Sequence, residues 1–180
     1  MSERDTVIRS MHDLGLATWF GGSLMGAVGL NGAAAQAHDP SERLRLSADG
    51  WARWTPWQIG AIAAHAIGGT GLILANRSRL KHQPEATLNT VVKAAVTVAA
   101  AGASAYAGYL GAQIKLHQHE TTAGVTEPAA GTSEALSASQ RQLKIIQWAI
   151  PALTGTAVVL AAQQGEQQRE AVTWLDKIRG

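Results

Sequence analysis

Long apolar runs alternate with short polar segments along this chain, and four of the runs have the length of a membrane-crossing helix. They cover approximately residues 14–35, 57–76, 91–114 and 145–162. A hydrocarbon core of ~30 Å takes about 20 helical residues at ~1.5 Å each. The run 14–35 holds only Thr18, Ser23 and Asn31 as polar residues, and 94–112 carries no charge. A soluble bundle would instead repeat a polar face every 3.6 residues along each helix. The pattern predicts an all-α protein, an integral membrane four-helix bundle forming one membrane domain over residues 1–180.

Punctuation sharpens the boundaries. Thr55-Pro56 predicts the start of the second helix, with Thr as N-cap and Pro in the first helical position. That helix ends near Asn76, Pro84 closes a short connection, and the third helix starts near Glu85. Residues 116–140 lack periodicity and are rich in Thr, Gly, Ala and Ser, which predicts a mobile outer loop. Ser137 or Ser139 is the expected cap of the fourth helix, and Pro151 within it predicts a bend. Beyond residue 163 the helix is expected to continue, with Ala171, Leu175 and Ile178 on one stripe. Within 41–54, Leu44, Ala48, Trp51 and Trp54 share one face and Arg43, Arg45, Asp49 and Arg53 lie elsewhere. That pattern predicts a short helix lying on the outer surface.

Arg4 and Arg9 ahead of an apolar core, with Ala35-Gln36-Ala37 before His38, also outline a secretory signal peptide. The core of about 20 residues exceeds the usual 7–15. It also carries Gly22, Gly26, Gly29 and Gly32, which suit packing against another helix. A retained first span is therefore expected.

Charge sets the expected orientation. The N-terminus, the 77–93 connection and the C-terminus hold nine of the 15 Lys and Arg residues, and the opposite side holds six. Positive residues gather on the cytoplasmic side, so both termini are expected there in a multi-pass plasma-membrane protein. Trp51, Trp54, Trp57 and Trp148 then fall on the outer side, as anchors at the headgroup level. The absence of cysteine excludes disulfides, thiolate metal sites and cysteine nucleophiles. A formal charge of only +2, with no basic run interleaved with aromatics, argues against nucleic acid.

Candidate chemistry is sparse. Gly22-x-x-x-Gly26, and Ala100, Ser104, Gly108 and Ala112 at intervals of four, form small-residue ridges that let helices approach closely in lipid. They serve packing within the bundle or association between copies. His38, His117 and His119, with Asp39 and Glu120 beside them, supply imidazole and carboxylate ligands suited to a transition metal such as copper or zinc. They lack the spacing that fixes four ligands in a strong zinc signature. His12 and His82 are expected near the inner face. His65 falls about nine positions into the second span, ~12–14 Å deep. An ionisable group at that depth is a functional candidate. It either bonds a facing Thr18, Ser23, Ser104, Thr154 or carbonyl, or binds a cofactor such as haem with His12. Depth arithmetic places His12 near the opposite face, which sets the two apart. No span contains a carboxylate, no Gly-rich phosphate loop precedes a helix, and no acid is positioned for a triad.

The stretch from His12 to Gly22, reading H-x6-W-x-G-G, resembles the opening helix of the copper-resistance CopD-like and DUF4149-like families of small membrane proteins. The Ala-, Gly- and Arg-rich style is similar to that of small actinobacterial membrane proteins. The resemblance implies a helical bundle and, from the first family, copper handling, with His12, Trp19, Gly21 and Gly22 as the positions to carry over. Together these readings predict a non-enzymatic protein, an accessory or packing subunit of a membrane complex or homo-oligomer. The alternative is a histidine-based haem or copper-binding membrane protein. A small transporter or channel is disfavoured by the lack of buried charge.

Overall fold

The computed structural model describes the backbone of residues 3–78 and 83–179 and the side chains of residues 6–78 and 83–164. Helix α1 (Glu3–Met25) runs through a π-helical turn (Gly26–Leu30) into α2 (Asn31–Ala35). A 3-10 turn (Pro40–Glu42) leads into α3 (Arg43–Ala75), followed by α4 (Pro84–Leu116) and α5 (Glu134–Arg179). Among the described residues there is no strand, only an isolated bridge between Thr122 and Pro128. Three helical stretches are long and apolar enough to cross a membrane: Pro40–Ala75, Pro84–Leu116 and Glu134–Gln164. The first of the four expected spans is not among them, since α1 carries Arg9 and Asp13 and ends at the π turn.

α1 packs along α3, α4 packs along α5, and α1 joins the two pairs by also touching α5, whereas α3 and α4 barely meet. Glycine explains the closeness of the first pair. A Cβ on Gly15 would lie 2.6 Å from both the Ala61 carbonyl oxygen and the His65 nitrogen. One on Gly68 would lie 2.5 Å from the His12 nitrogen and 2.7 Å from the Ile8 oxygen. Backbone therefore touches backbone at two levels, a distance only glycine permits. Gly22 and Gly26 do something different. Their missing Cβ atoms leave room for the rings of Trp54 and Trp51, which approach the ideal Cβ positions to 2.0 and 2.2 Å. The Gly22-x-x-x-Gly26 pair is thus a floor for two indoles of the same chain. Where all four long helices meet, Trp19 is 1% exposed and packs with Ala61, Ala100, Ala103 and Ile150. Its Nε1 donates to Ser104 Oγ at 3.0 Å.

Several boundaries differ from expectation. No separate interfacial helix precedes the second span, because α3 runs unbroken through Thr55-Pro56. Thr55 is no cap: its hydroxyl donates to the Trp51 carbonyl at 2.7 Å, inside the helix. Pro56 is tolerated because it removes one bond, to Ala52, on an exposed face. The apolar side of 41–54 finds protein: Leu44 packs with Ile114 and Leu136, and Ser47 and Trp51 both bond Asn31. α4 does begin with Pro84 in its first turn, next to the expected Glu85. α5 begins earlier than expected. Ser133, and neither Ser137 nor Ser139, accepts a helix N–H, from Leu136 at 3.4 Å, while the Ser139 hydroxyl donates back to Ala135. Arg79, Lys81 and His82 lie outside the described residues, as do the side chains of Arg4, Arg169, Ala171, Leu175, Lys177, Ile178 and Arg179.

The segment after α4, read from sequence as mobile, has a defined path. Arg43 Nη1 donates to the carbonyls of Thr122 and Ala123 at 2.8 and 2.9 Å. Gln140, fully buried, donates from Nε2 to Gly124 and Val125 at 3.1 and 3.0 Å. Missing periodicity excludes a helix there, but side chains from α3 and α5 can still satisfy the loop carbonyls. Glu120 closes the loop by accepting the Ser133 N–H at 2.8 Å and the Ser133 hydroxyl at 2.9 Å. These bonds, backbone first, hold its carboxyl below the ordinary carboxylate range, with a smaller contribution from His117.

Two outcomes follow from this packing. Gly15→Ala should force α1 from α3 and cost on the order of 1–3 kcal/mol. Gly26→Ala should cost less, since an indole can swing and a backbone cannot. Thermal unfolding in detergent measures both, and equal losses would contradict the backbone-to-backbone contact. The Glu120 closure favours the ionised form, so its stabilisation is present above the ordinary carboxylate pKa and is lost as pH falls through the depressed value. Protection of the 118–133 amides, relative to their intrinsic exchange, should persist from neutral pH through the ordinary carboxylate range and be lost only below it. In Glu120→Gln the loop should exchange faster at neutral pH and lose that acid transition.

Candidate functional site

The divergence of α3 from α4 leaves two cavities along one side of the molecule. Positions 9–17 of α1, 65–75 of α3 with Asn76, 86–98 of α4 and 158–164 of α5 line the first; positions 44–62 of α3, 101–115 of α4 and 143–150 of α5, with Ser23, Asn31 and Val125, line the second. Trp19 on α1 and Ala100 on α4 fall between the two linings in sequence, and Ala61 packs with them at the α3 end of the second.

The first cavity, about 490 Å³, is lined by both polar and apolar side chains. Antiparallel packing of α1 on α3 brings His12 and His65 together inside it, with ring centroids 4.3 Å apart and planes tilted by 38°. Both are buried, at 2% and 3% exposure. The expectation that His12 sits far from His65 is therefore corrected. That expectation counted depth from Thr55-Pro56, but α3 starts twelve residues earlier and α1 starts at Glu3, so both histidines lie well inside long helices. His65 Nδ1 donates to the His12 carbonyl at 3.1 Å, and Nε2 faces Thr97 Oγ1 at 3.4 Å. His12 Nδ1 donates to Asp13 at 2.7 Å. Trp19 meets His65 edge-on at 6.2 Å. Two imidazoles sharing a metal must each aim a nitrogen at one point about 2 Å away. Here the rings lie against each other at a tilt, and both nitrogens of His65 face protein groups. Elsewhere in the same cavity Lys93 Nζ donates to Gln164 Oε1 at 2.9 Å, and Gln164 Nε2 donates to Thr90 Oγ1 at 3.2 Å.

The second cavity, about 500 Å³, is lined mainly by small and aliphatic residues, among them Ala52, Ile59, Ala101, Ala105, Gly108 and Ala112. The ridge on α4 is split by this arrangement. Ala100 and Ser104 are buried, while Gly108 and Ala112 are exposed, and a Cβ on Gly108 would meet nothing within 4 Å. Asn31 lines the same cavity with both ends of its amide in use. Its Oδ1 accepts from Ser47 Oγ at 2.8 Å and Trp51 Nε1 at 2.9 Å, and its Nδ2 donates to Gln147 at 2.9 Å. This network ties α2, α3 and α5, and its one signal in the sequence is a lone amide in an otherwise uncharged run.

The outer histidines do not converge. His117 Nδ1 bonds Glu120 at 2.7 Å, whereas His38 and His119 are exposed. Asp39 spends its carboxylate on Ser41, whose hydroxyl and N–H hold its pKa below the usual value. Among the described residues no group of three or more His, Asp or Glu could hold a metal ion. The four tryptophans also divide. Trp57 and Trp148 are 71% and 49% exposed, but Trp51 and Trp54 turn inward onto Gly26 and Gly22. Trp51 and Trp57 are six residues apart, ~9 Å of helix axis, so the three indoles of α3 do not share one level. Of the His12–Gly22 motif, His12 and Trp19 are buried, Gly22 seats Trp54, and Gly21 faces open space. Sequence reasoning passed over Gly15 and Gly68, whose only signal was glycine in an apolar run, and over Lys93, counted only toward orientation. No protein-family model matches the chain, and no curated protein or solved structure matches it.

Proposed function

We propose that this is a non-enzymatic, four-span protein of the plasma membrane, with both termini cytoplasmic, acting as an accessory subunit of a membrane complex or homo-oligomer. Its α3–α4 side is the face that receives another transmembrane helix. The cleft there carries the reading. Gly108 and Ala112 stand exposed at its edge beside Ala105, a small-residue surface that a neighbouring helix can approach closely. Membrane residence is supported by how little of the apolar windows is buried: 17%, 11% and 22% in the three long stretches. Ile59, Ile67, Val98, Ile145 and Val159 are among the large side chains left outward. Apolar surface on that scale marks an interaction site or a lipid-facing one.

The histidine reading has one observation in its favour, the contact of His12 with His65. The engagement of both His65 nitrogens weighs against haem or copper at that point. A visible Soret band, or stoichiometric copper, that is lost in His65→Ala would replace the accessory reading with a cofactor-binding one.

Gly108→Leu fills open space and should leave the melting temperature unchanged, yet remove any oligomer or co-purifying membrane protein seen by size-exclusion chromatography. Retention of the same assembly would sink the cleft as the contact face. Orientation can be read with single cysteines at the exposed Ala130 and Ser78, since the native chain has none. An impermeant thiol reagent should label position 130 from outside intact cells and leave 78 unlabelled. The reverse labelling would invert the topology.

A further inference from the structure

We propose that the first cavity is a binding site for an amphipathic anion, an acyl chain with a phosphate or carboxylate head, entering sideways between α3 and α4. Three features carry this. The first is charge. Arg9 and Lys93 line the cavity, and Asp13 is the one carboxylate among its described lining residues. Lys93 Nζ is half-buried and bonds only the neutral Gln164 amide, with no described carboxylate at ion-pair distance. Gln164 is in turn fixed by Thr90, so the neutral described partners hold the ammonium in place, with Asp13 in the same cavity but beyond ion-pair distance. A cation in apolar surroundings calls for a counter-charge.

The second feature is apolar wall: Leu16, Ile73, Val98 and Val158, one from each long helix, also line the cavity and suit a hydrocarbon chain. A small inorganic anion would leave that wall unused. The third is access. Ile73 on α3 and Val98 on α4 line the cavity and are 43% and 72% exposed, so the opening lies in the gap where those helices part. In the four-span arrangement this end is the cytoplasmic one, where basic pockets between helices take anionic headgroups. The site rests on the membrane reading but not on a partner helix in the cleft.

The test uses the full-length protein extracted in a non-ionic detergent and titrated, by native mass spectrometry, with phosphatidylglycerol or phosphatidylcholine of the same acyl chains. Recovery from the membrane fraction comes first, and failure there sinks the four-span reading. Protein that is in the membrane but indifferent to lipid charge sinks this proposal alone. The expected result is one phosphatidylglycerol bound in preference to phosphatidylcholine. Lys93→Gln should weaken it about tenfold or more, the scale of a lost charged hydrogen bond. Arg9→Gln gives a second reading should Lys93→Gln fail to fold. Asp13→Asn, which keeps an acceptor for His12, should tighten binding. Competition by oleate would assign the head to a carboxylate, and its absence to a phospholipid phosphate. Equal binding of phosphatidylcholine, an unchanged preference in folded Lys93→Gln, or competition by inorganic phosphate alone would overturn the proposal.

Discussion

The backbone contact between α1 and α3 is the constraint on which the rest of the molecule depends. With Gly15 against Ala61 and His65, and Gly68 against Ile8 and His12, the two helices can slide no further along each other. That register puts the His12 carbonyl above His65 Nδ1, drops the rings of Trp54 and Trp51 onto Gly22 and Gly26, and brings Asn31 to Ser47. Dispersion at close range and a few buried hydrogen bonds hold the pair together. Trp19 then carries the register to the second helical pair through Ser104.

The same economy of contact leaves one side unfinished. α1 bridges to α5 and α5 clasps α4, but nothing comparable joins α3 to α4. On α4, Ala100, Ala103 and Ser104 are consumed by packing in the Trp19 layer, and Gly108 and Ala112 are not. The molecule is thus closed on three of its helix–helix faces and open on one, with a polar recess at one end of the opening and an apolar one at the other. The loop after α4, held by Arg43, Gln140 and Glu120, is tethered to α3 and α5 and bridges the two pairs at the apolar end.

Much of the helical architecture was legible in the apolar runs, because length and lack of charge are properties of single segments. Pro84 marked a true helix start because the residues before it break the pattern. Thr55-Pro56 misled because the amphipathic stretch before it belongs to the same helix, and a proline with its open side outward interrupts little. Ser133 was overlooked as a cap since its strongest partner, Glu120, lies thirteen residues away and no local motif records it. The meeting of His12 with His65 was illegible for a related reason: it depends on where two helices begin and on glycines that let them touch, neither of which a count along one segment supplies. Lys93 was read as an orientation signal, and only the surrounding helices show that its charge is drawn inward.

The π-helical turn at Gly26–Leu30 carries one more consequence. The Asn31 N–H bonds the Gly26 carbonyl, five residues back rather than four, so the helix holds one residue more than an α-helix with the same inward face would need. Without that surplus the inward position after Gly26 would be Leu30, and the amide that joins three helices would be rotated by roughly 100°. The turn works as a phase buffer between two rigid halves, one fixed by glycines and the other by Asn31. Loss of a residue here would revert the bulge to plain α-helix and keep both halves in phase, whereas loss of one between His12 and Trp19 would unlock the contact with α3. Length variation in this helix has one tolerant position, and it is built into the turn.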